Sequence, residues 1–305
     1  MNKATSPSVN LEKVLAGAQL PALPQSAIRL LELSQDPTNG PAEFAAPIES
    51  DPGLTGQVLR FVNSSYFGFS REISNVKSAI TLVGIRTIKN FALWSAVFSL
   101  MPNPRCGPFE LKSLWTDSLR RAMFARTVGT QLGMKEAEDA FTAALLQDMS
   151  VPLLAKEAPE VYAKLLKGRD DGHVRLSDLE RQSFGWTHAE AAGMMARQWN
   201  LPDTFVTLIE QHLDIDQWLS EARPEPAKVA VALSALLPAT PDSRWTECPR
   251  FEECFHKAIP SGSPTIPEVL ALIDDQFMEF APILKLAKPK KSLVEAYQEV
   301  TTPAS

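Results

Sequence analysis

Residues 48–68 read IESDPGLTGQVLRFVNSSYFG and carry the start, body and end of one helix. Asp51 is placed to cap the first turn, and Pro52 takes the first helical position, where a missing amide donor costs nothing. Leu54, Val58, Leu59 and Val62 recur at the three-and-four spacing that lays an apolar stripe along a helix. Asn63, Ser64 and Ser65 end it, because their short polar side chains compete for backbone groups and favour turns. Tyr66, Phe67 and Phe69 follow as plugs for the space between helices.

The same spacing extends in both directions. It predicts further helices over 24–35, 41–50, 75–83, 85–101, 110–132, 136–149, 159–167, 176–184, 188–199, 203–213, 226–237 and 266–280. Pro47 falls inside one of them and is expected to kink or split it. No run alternates apolar and polar residues between hairpin turns, so the fold class is all-α. Proline-rich stretches at 102–108 and 238–267 divide the chain. The expected organisation is a weakly ordered leader over 1–20, a first helical half over 21–107 and a second over 108–237. A loop, a last helix and a polar tail fill 238–305.

Composition narrows the function. Of 305 residues, 45% are hydrophobic and 22% charged, the balance of a chain that buries a sizeable core. A net charge of −6 argues against a surface that grips phosphate backbones, so nucleic acid is not the expected partner. The basic cluster Lys285, Lys288, Lys290 and Lys291 reads as a solvated tail. Cys106, Cys248 and Cys254 are too few and scattered for a disulfide framework or a four-cysteine zinc site, which points to a reducing compartment. The first residues are polar, and the strongest apolar run, 91–101, is too short to span a bilayer. A cytoplasmic protein without a membrane anchor is expected. Phosphate loops, HExxH, GxSxG and paired CxxC motifs are missing.

Three segments carry a family resemblance: PALPQSAIRLLEL at 21–33, the 48–68 stretch, and ISNVKSAITLVGIRTIKNFAL at 73–93. In order and spacing the chain resembles the HDOD family of bacterial signal-transduction proteins over 21–215. Its second half resembles the HD superfamily of metal-dependent phosphohydrolases, in which histidines, a His-Asp pair and an aspartate hold one or two metals. By that resemblance Asp117, in LWTDSL, stands where the first histidine is expected, and Gln147-Asp148, in LLQDMS, where the His-Asp pair should be. His188, in FGWTHAEAAGMMARQWNLP, and His212, in LIEQHLD, match later positions. Between Lys228 and Leu237, where a final aspartate would be sought, no carboxylate occurs.

Asp117, Asp148, His188 and His212 are therefore the vestigial metal-site candidates. Neutral glutamine is a poor ligand beside imidazole, and a hydrolytic centre needs several converging donors plus an open position for water. Each candidate also has an ordinary reading. Thr187 and Glu190 form a capping-box pattern around His188, and His212 sits near a helix end, where an imidazolium suits the dipole. Asp117 has Arg120 and Arg121 at surface ion-pair spacing. Asp148 ends an apolar helix against the dipole, so a cation, amide donors or a metal must hold it. The resemblance and the lost ligands together imply a non-catalytic regulatory module. It would bind a signalling protein in trans, or a small ligand, and need no cofactor; the alternative is a divergent metal-dependent phosphohydrolase.

Overall fold

A computed structural model describes residues 20–301 except 35, 66, 136, 260–263, 283 and 287, together with 11, 12 and 14. The leader expected at 1–20 and the plug expected from Tyr66 lie largely or wholly outside the described residues. Every described element is helical, in accord with the all-α reading.

The first half comprises α1 (Gln25–Leu33), α2 (Pro41–Glu49), α3 (Pro52–Val62), α4 (Val76–Val83) and α5 (Ile85–Leu100). Asp51 caps α3 by accepting from the Leu54 amide at 3.0 Å, and its other oxygen accepts from Ser26 Oγ of α1 at 3.2 Å. Asn63 laces the loop that follows: its side chain accepts from the Ile73 amide at 2.7 Å and donates to the Ile73 carbonyl at 2.8 Å. Phe67 packs edge-on against Phe61, whereas Phe69 is exposed. Gly84 joins α4 to α5 at φ +92°, a conformation a side chain would strain. Helix α2 runs unbroken through Pro47. The one hydrogen bond that proline forfeits would have ended at the carbonyl of Glu43, an exposed residue.

The second half is built on the long helix α6 (Leu111–Gln131), packed against α7 (Glu138–Leu146) and α14 (Pro226–Ser234). Between them run α8 (Val151–Glu157), α9 (Pro159–Gly168), α10 (Leu176–Phe184), α11 (His188–Gln198), α12 (Asp203–Glu210) and α13 (Ile215–Ser220). One apolar core passes through both halves, with Trp94, Trp115 and Trp199 buried in it. Trp199 Nε1 donates to the Pro21 carbonyl at 3.0 Å and so fastens the start of the 21–33 segment to the end of α11.

At the end of the chain the last helix expected over 266–280 forms, and two more helices occupy parts of the expected loop and polar tail. The three are α15 (Cys248–Ala258), α16 (Ile266–Phe280) and α17 (Leu293–Thr301). Cys248, Phe251, Cys254 and Phe255 form one buried stripe on α15, a helical period hidden by the Pro, Ser and Thr around it. Helix α16 packs on α6, and Asp274 caps α17 by accepting from the amides of Leu293 and Val294, each at 3.0 Å.

Candidate functional site

Asp148 lies in the turn after α7, His188 is the first residue of α11, and His212 follows α12. All three are buried. Asp148 Oδ1 is 3.3 Å from His188 Nε2 and 3.7 Å from His212 Nε2. Each residue offers one ligand atom, and these atoms lie within 4.8 Å of one another.

Both imidazoles are held from behind. His188 Nδ1 donates to Glu180 Oε2 at 2.6 Å, and the same oxygen accepts from the His188 amide at 2.8 Å. The other Glu180 oxygen accepts from the Tyr162 hydroxyl, so a fully buried carboxylate is satisfied on both sides. Ser150 Oγ donates to the His188 carbonyl at 2.7 Å, tying the Asp148 turn to α11. Thr187 and Glu190 close the capping box expected from sequence, the Thr187 amide donating to Glu190 Oε2 at 2.7 Å. His212 Nδ1 donates to the Ile209 carbonyl at 2.7 Å. Anchoring Nδ1 in this way turns Nε2 inward, the orientation that metal-binding histidines adopt.

The cation that Asp148 requires is Arg121, whose guanidinium donates to Asp148 Oδ2. Burial alone would raise the Asp148 pKa, but Arg121 first, and then the histidines, hold it well below the usual carboxylate range. For His188, burial is outweighed by Glu180 and Asp148, which push it up to about 10, so the ring is an imidazolium. His212 goes the other way: burial, with a smaller push from the neighbouring His188 charge, brings it to about 3 and outweighs the attraction of Asp148. It is neutral, and no helix-end imidazolium forms.

Asp117 stands apart from the cluster. Its Oδ1 accepts from the Thr240 amide at 2.8 Å and from Thr240 Oγ1 at 2.5 Å. Burial raises its pKa to about 6, less than it otherwise would because Arg121 and Thr240 favour the charge. The surface ion pair with Arg120 and Arg121 is not what forms. Arg120 is buried and turns to Asp274 and the Lys291 carbonyl, while Arg121 turns to Asp148. Gln147 is also buried; its Oε1 accepts weakly from Ser234 Oγ of α14 at 3.4 Å, and its Nε2 has no partner.

The three-donor cluster could take an ion, but it does not fit a hydrolytic centre. One Asp148 oxygen is held by Arg121, Asp117 is committed to Thr240, and the neighbouring position is an amide rather than an imidazole. Glu180 and Ser150 carry no signal in the sequence reading, and Arg121 enters it only as a surface ion-pair partner of Asp117. The available signal for Arg121 was its place one helical turn after Asp117 on a helix whose same face is otherwise apolar.

Above the cluster is a cavity of about 790 Å³ whose lining includes Asp117, Arg121, Gln147, Asp148, His188 and His212. Its lining also takes in residues 235–247 and 288–291 from the last part of the chain. Lys288, Lys290 and Lys291 thus border the cavity, the first two with side chains exposed to solvent.

Comparison with known proteins agrees with this architecture. The HDOD domain model matches residues 20–215. An uncharacterized protein of Treponema pallidum (strain Nichols) is 23% identical over 214 residues, 70% of this chain and 41% of that protein, so the chain spans well under half of that relative's length. Among solved structures, an HDOD domain protein with unknown function from Geobacter sulfurreducens superposes with a TM-score of 0.63 at 20% identity, covering 95% of this chain and 93% of its own. A candidate phosphohydrolase from Shewanella amazonensis SB2B gives 0.69 at 21% identity, covering 89% and 97%. A candidate signal-transduction protein from Marinobacter aquaeolei VT8 gives 0.62 at 19% identity, covering 90% and 64%. These likenesses establish a shared fold, and with the family match spanning more than half of its length the chain belongs to the HDOD family.

Proposed function

We propose that this chain is a non-catalytic regulatory module that acts by binding, with Arg121 supplying the counter-charge for Asp148 in place of a metal ion. The ion pair between Arg121 and Asp148 carries this reading, because a guanidinium cannot be deprotonated to make room for a second cation. A cytoplasmic setting and a signalling protein met in trans belong to the same proposal. The acidic balance of the chain supports a partner other than nucleic acid.

The second reading, a divergent metal-dependent phosphohydrolase, draws on the inward-facing Nε2 atoms of His188 and His212. It requires Arg121 to leave Asp148 and Asp117 to leave Thr240. Elemental analysis of the purified protein after metal supplementation, with Asp148→Ala and His188→Ala alongside, separates the two. The expected result is less than stoichiometric metal and no phosphate release from a phosphoester panel. Stoichiometric metal abolished by both substitutions, together with turnover, would overturn the proposal.

A further inference from the structure

The cavity concentrates charge of the opposite sign to the chain. Eight lysines and arginines line it against five carboxylates, in a protein whose net charge is −6. Three of those carboxylates are already matched. Asp148 is held by Arg121, Asp242 by Arg169 at 2.5 Å, and Glu247 by Arg175 at 3.4 Å. Lys112, Arg244, Lys288 and Lys290 also line the cavity, form no ion pair among the described residues, and are all exposed. Four cations gathered at one opening repel one another and remain together only because the fold holds them there.

The rest of the lining is of two kinds. Val151, Leu166, Leu176, Leu213 and Leu236 give an apolar wall, and the buried Gln147 brings a donor without a partner. A volume of about 790 Å³ is that of a site for a small organic molecule. Arg244, Lys288 and Lys290 all lie beyond the family-matched residues 20–215. Lys291 pins their segment through its Nζ, which donates to the Ser243 carbonyl at 2.8 Å and to Glu299 at 2.5 Å.

We infer that this cavity binds a phosphate-bearing small organic molecule of nucleotide size, its anionic group held by Arg244, Lys288 and Lys290 and its organic body against the apolar wall. The inference rests on reading the module as a binding protein. It makes the chain-end segment, rather than the vestigial cluster, the part that recognises the ligand. A ligand there would touch the α15–α17 segment on one side and the cluster on the other, so binding would clamp the two together.

Calorimetric titration of the full chain with ATP and with pyrophosphate, at low and high salt, tests it. ATP is expected to bind saturably, more weakly as salt rises. Pyrophosphate is expected to bind more weakly than ATP because it leaves the apolar wall uncovered. Arg244→Gln/Lys288→Gln/Lys290→Gln should lower ATP affinity at least about tenfold without moving the melting temperature of the free protein, since all three side chains are exposed. No saturable binding of either probe, or equal affinity in the triple variant, overturns the inference and leaves the non-catalytic reading untouched. Phosphate released during the titration would do the reverse, upholding the site while sinking that reading.

Discussion

Arg121→Ala is the substitution that most directly probes the cluster. It deletes the guanidinium on Asp148 Oδ2 while leaving the His188 imidazolium 3.3 Å from Oδ1. Removing one partner of a buried ion pair costs about 3–5 kcal/mol, chiefly because the remaining charge stays buried. The retained imidazolium places this case at the lower end, about 3 kcal/mol. For a domain of this size each kcal/mol lowers the midpoint by about 2–4 °C, so the loss is roughly 6–12 °C. Thermal and urea unfolding of Arg121→Ala, Asp148→Asn and the double variant form a cycle. The double variant should be more stable than Arg121→Ala, with a coupling of about 1–3 kcal/mol, because the charge left stranded by the first substitution is removed by the second. The single variant also frees Asp148 Oδ2, so added Zn²⁺ should raise its midpoint and leave that of the wild type unchanged. Additive losses in the cycle, or equal stabilisation of the wild type by Zn²⁺, would refute the idea that Arg121 does a metal's work.

Two further substitutions probe the ground around the cluster. Asp117 has a folded pKa of about 6 against an ordinary 3.8, so the folded state binds the proton more tightly and wild-type stability rises as pH falls from about 6 to 4. Asp117→Asn keeps an acceptor for Thr240 without the buried charge, and should be more stable than wild type at pH 8 by up to about 3 kcal/mol. Urea midpoints at pH 8 and pH 4.5 check this: the gap must narrow at the lower pH, and a pH-independent gap rules out the charge as its source. Asp274→Ala removes two amide acceptors from the start of α17 and the carboxylate facing Arg120, a loss of about 2 kcal/mol. Hydrogen exchange should quicken across 288–301, and ATP binding should weaken with it because Lys288 and Lys290 lose their support; unchanged protection there would count against the capping role.

The parts of the fold that could be read in the sequence are those where local chemistry and helical period agree. Asp51-Pro52 and Thr187 with Glu190 mark helix starts by their own hydrogen bonds, and the structure places helices there. Helix α15 is hard to read because its stripe is only four residues long and sits between prolines. Helix α17 does carry a local start signal, Ser292 with Glu295, each of whose side chains accepts from the other's amide, at 3.1 and 2.8 Å, but its nine residues are set in a polar stretch and need the second cap from Asp274 on another helix. The site divides in the same way. His188, His212 and Asp148 could be named from motif positions, but their common company with Arg121 and Glu180 depends on how α6, α7, α10 and α11 pack. Spacing along α6 suggested that Arg121 pairs with Asp117 one turn away. Packing instead offers it Asp148, which lies against the helix end and binds it more strongly than a carboxylate already taken by Thr240.

The charges of the cluster explain why a metal would be poorly accommodated even where its donors point inward. The carboxylates of Asp148 and Glu180 face the Arg121 guanidinium and the His188 imidazolium, while His212 is neutral. The group is thus closed electrically: each buried charge has an opposite neighbour, as burial demands. A divalent ion entering between Asp148, His188 and His212 would have to displace the His188 proton, which two carboxylates hold, and would sit beside the Arg121 guanidinium. Loss of Arg121 removes that repulsion, with Asp148 and Glu180 then facing a divalent ion and a neutral His188. One arginine therefore governs how readily this cluster would take a cation. The cations of the chain-end segment take no part in that balance, which leaves them free for an anion arriving from outside.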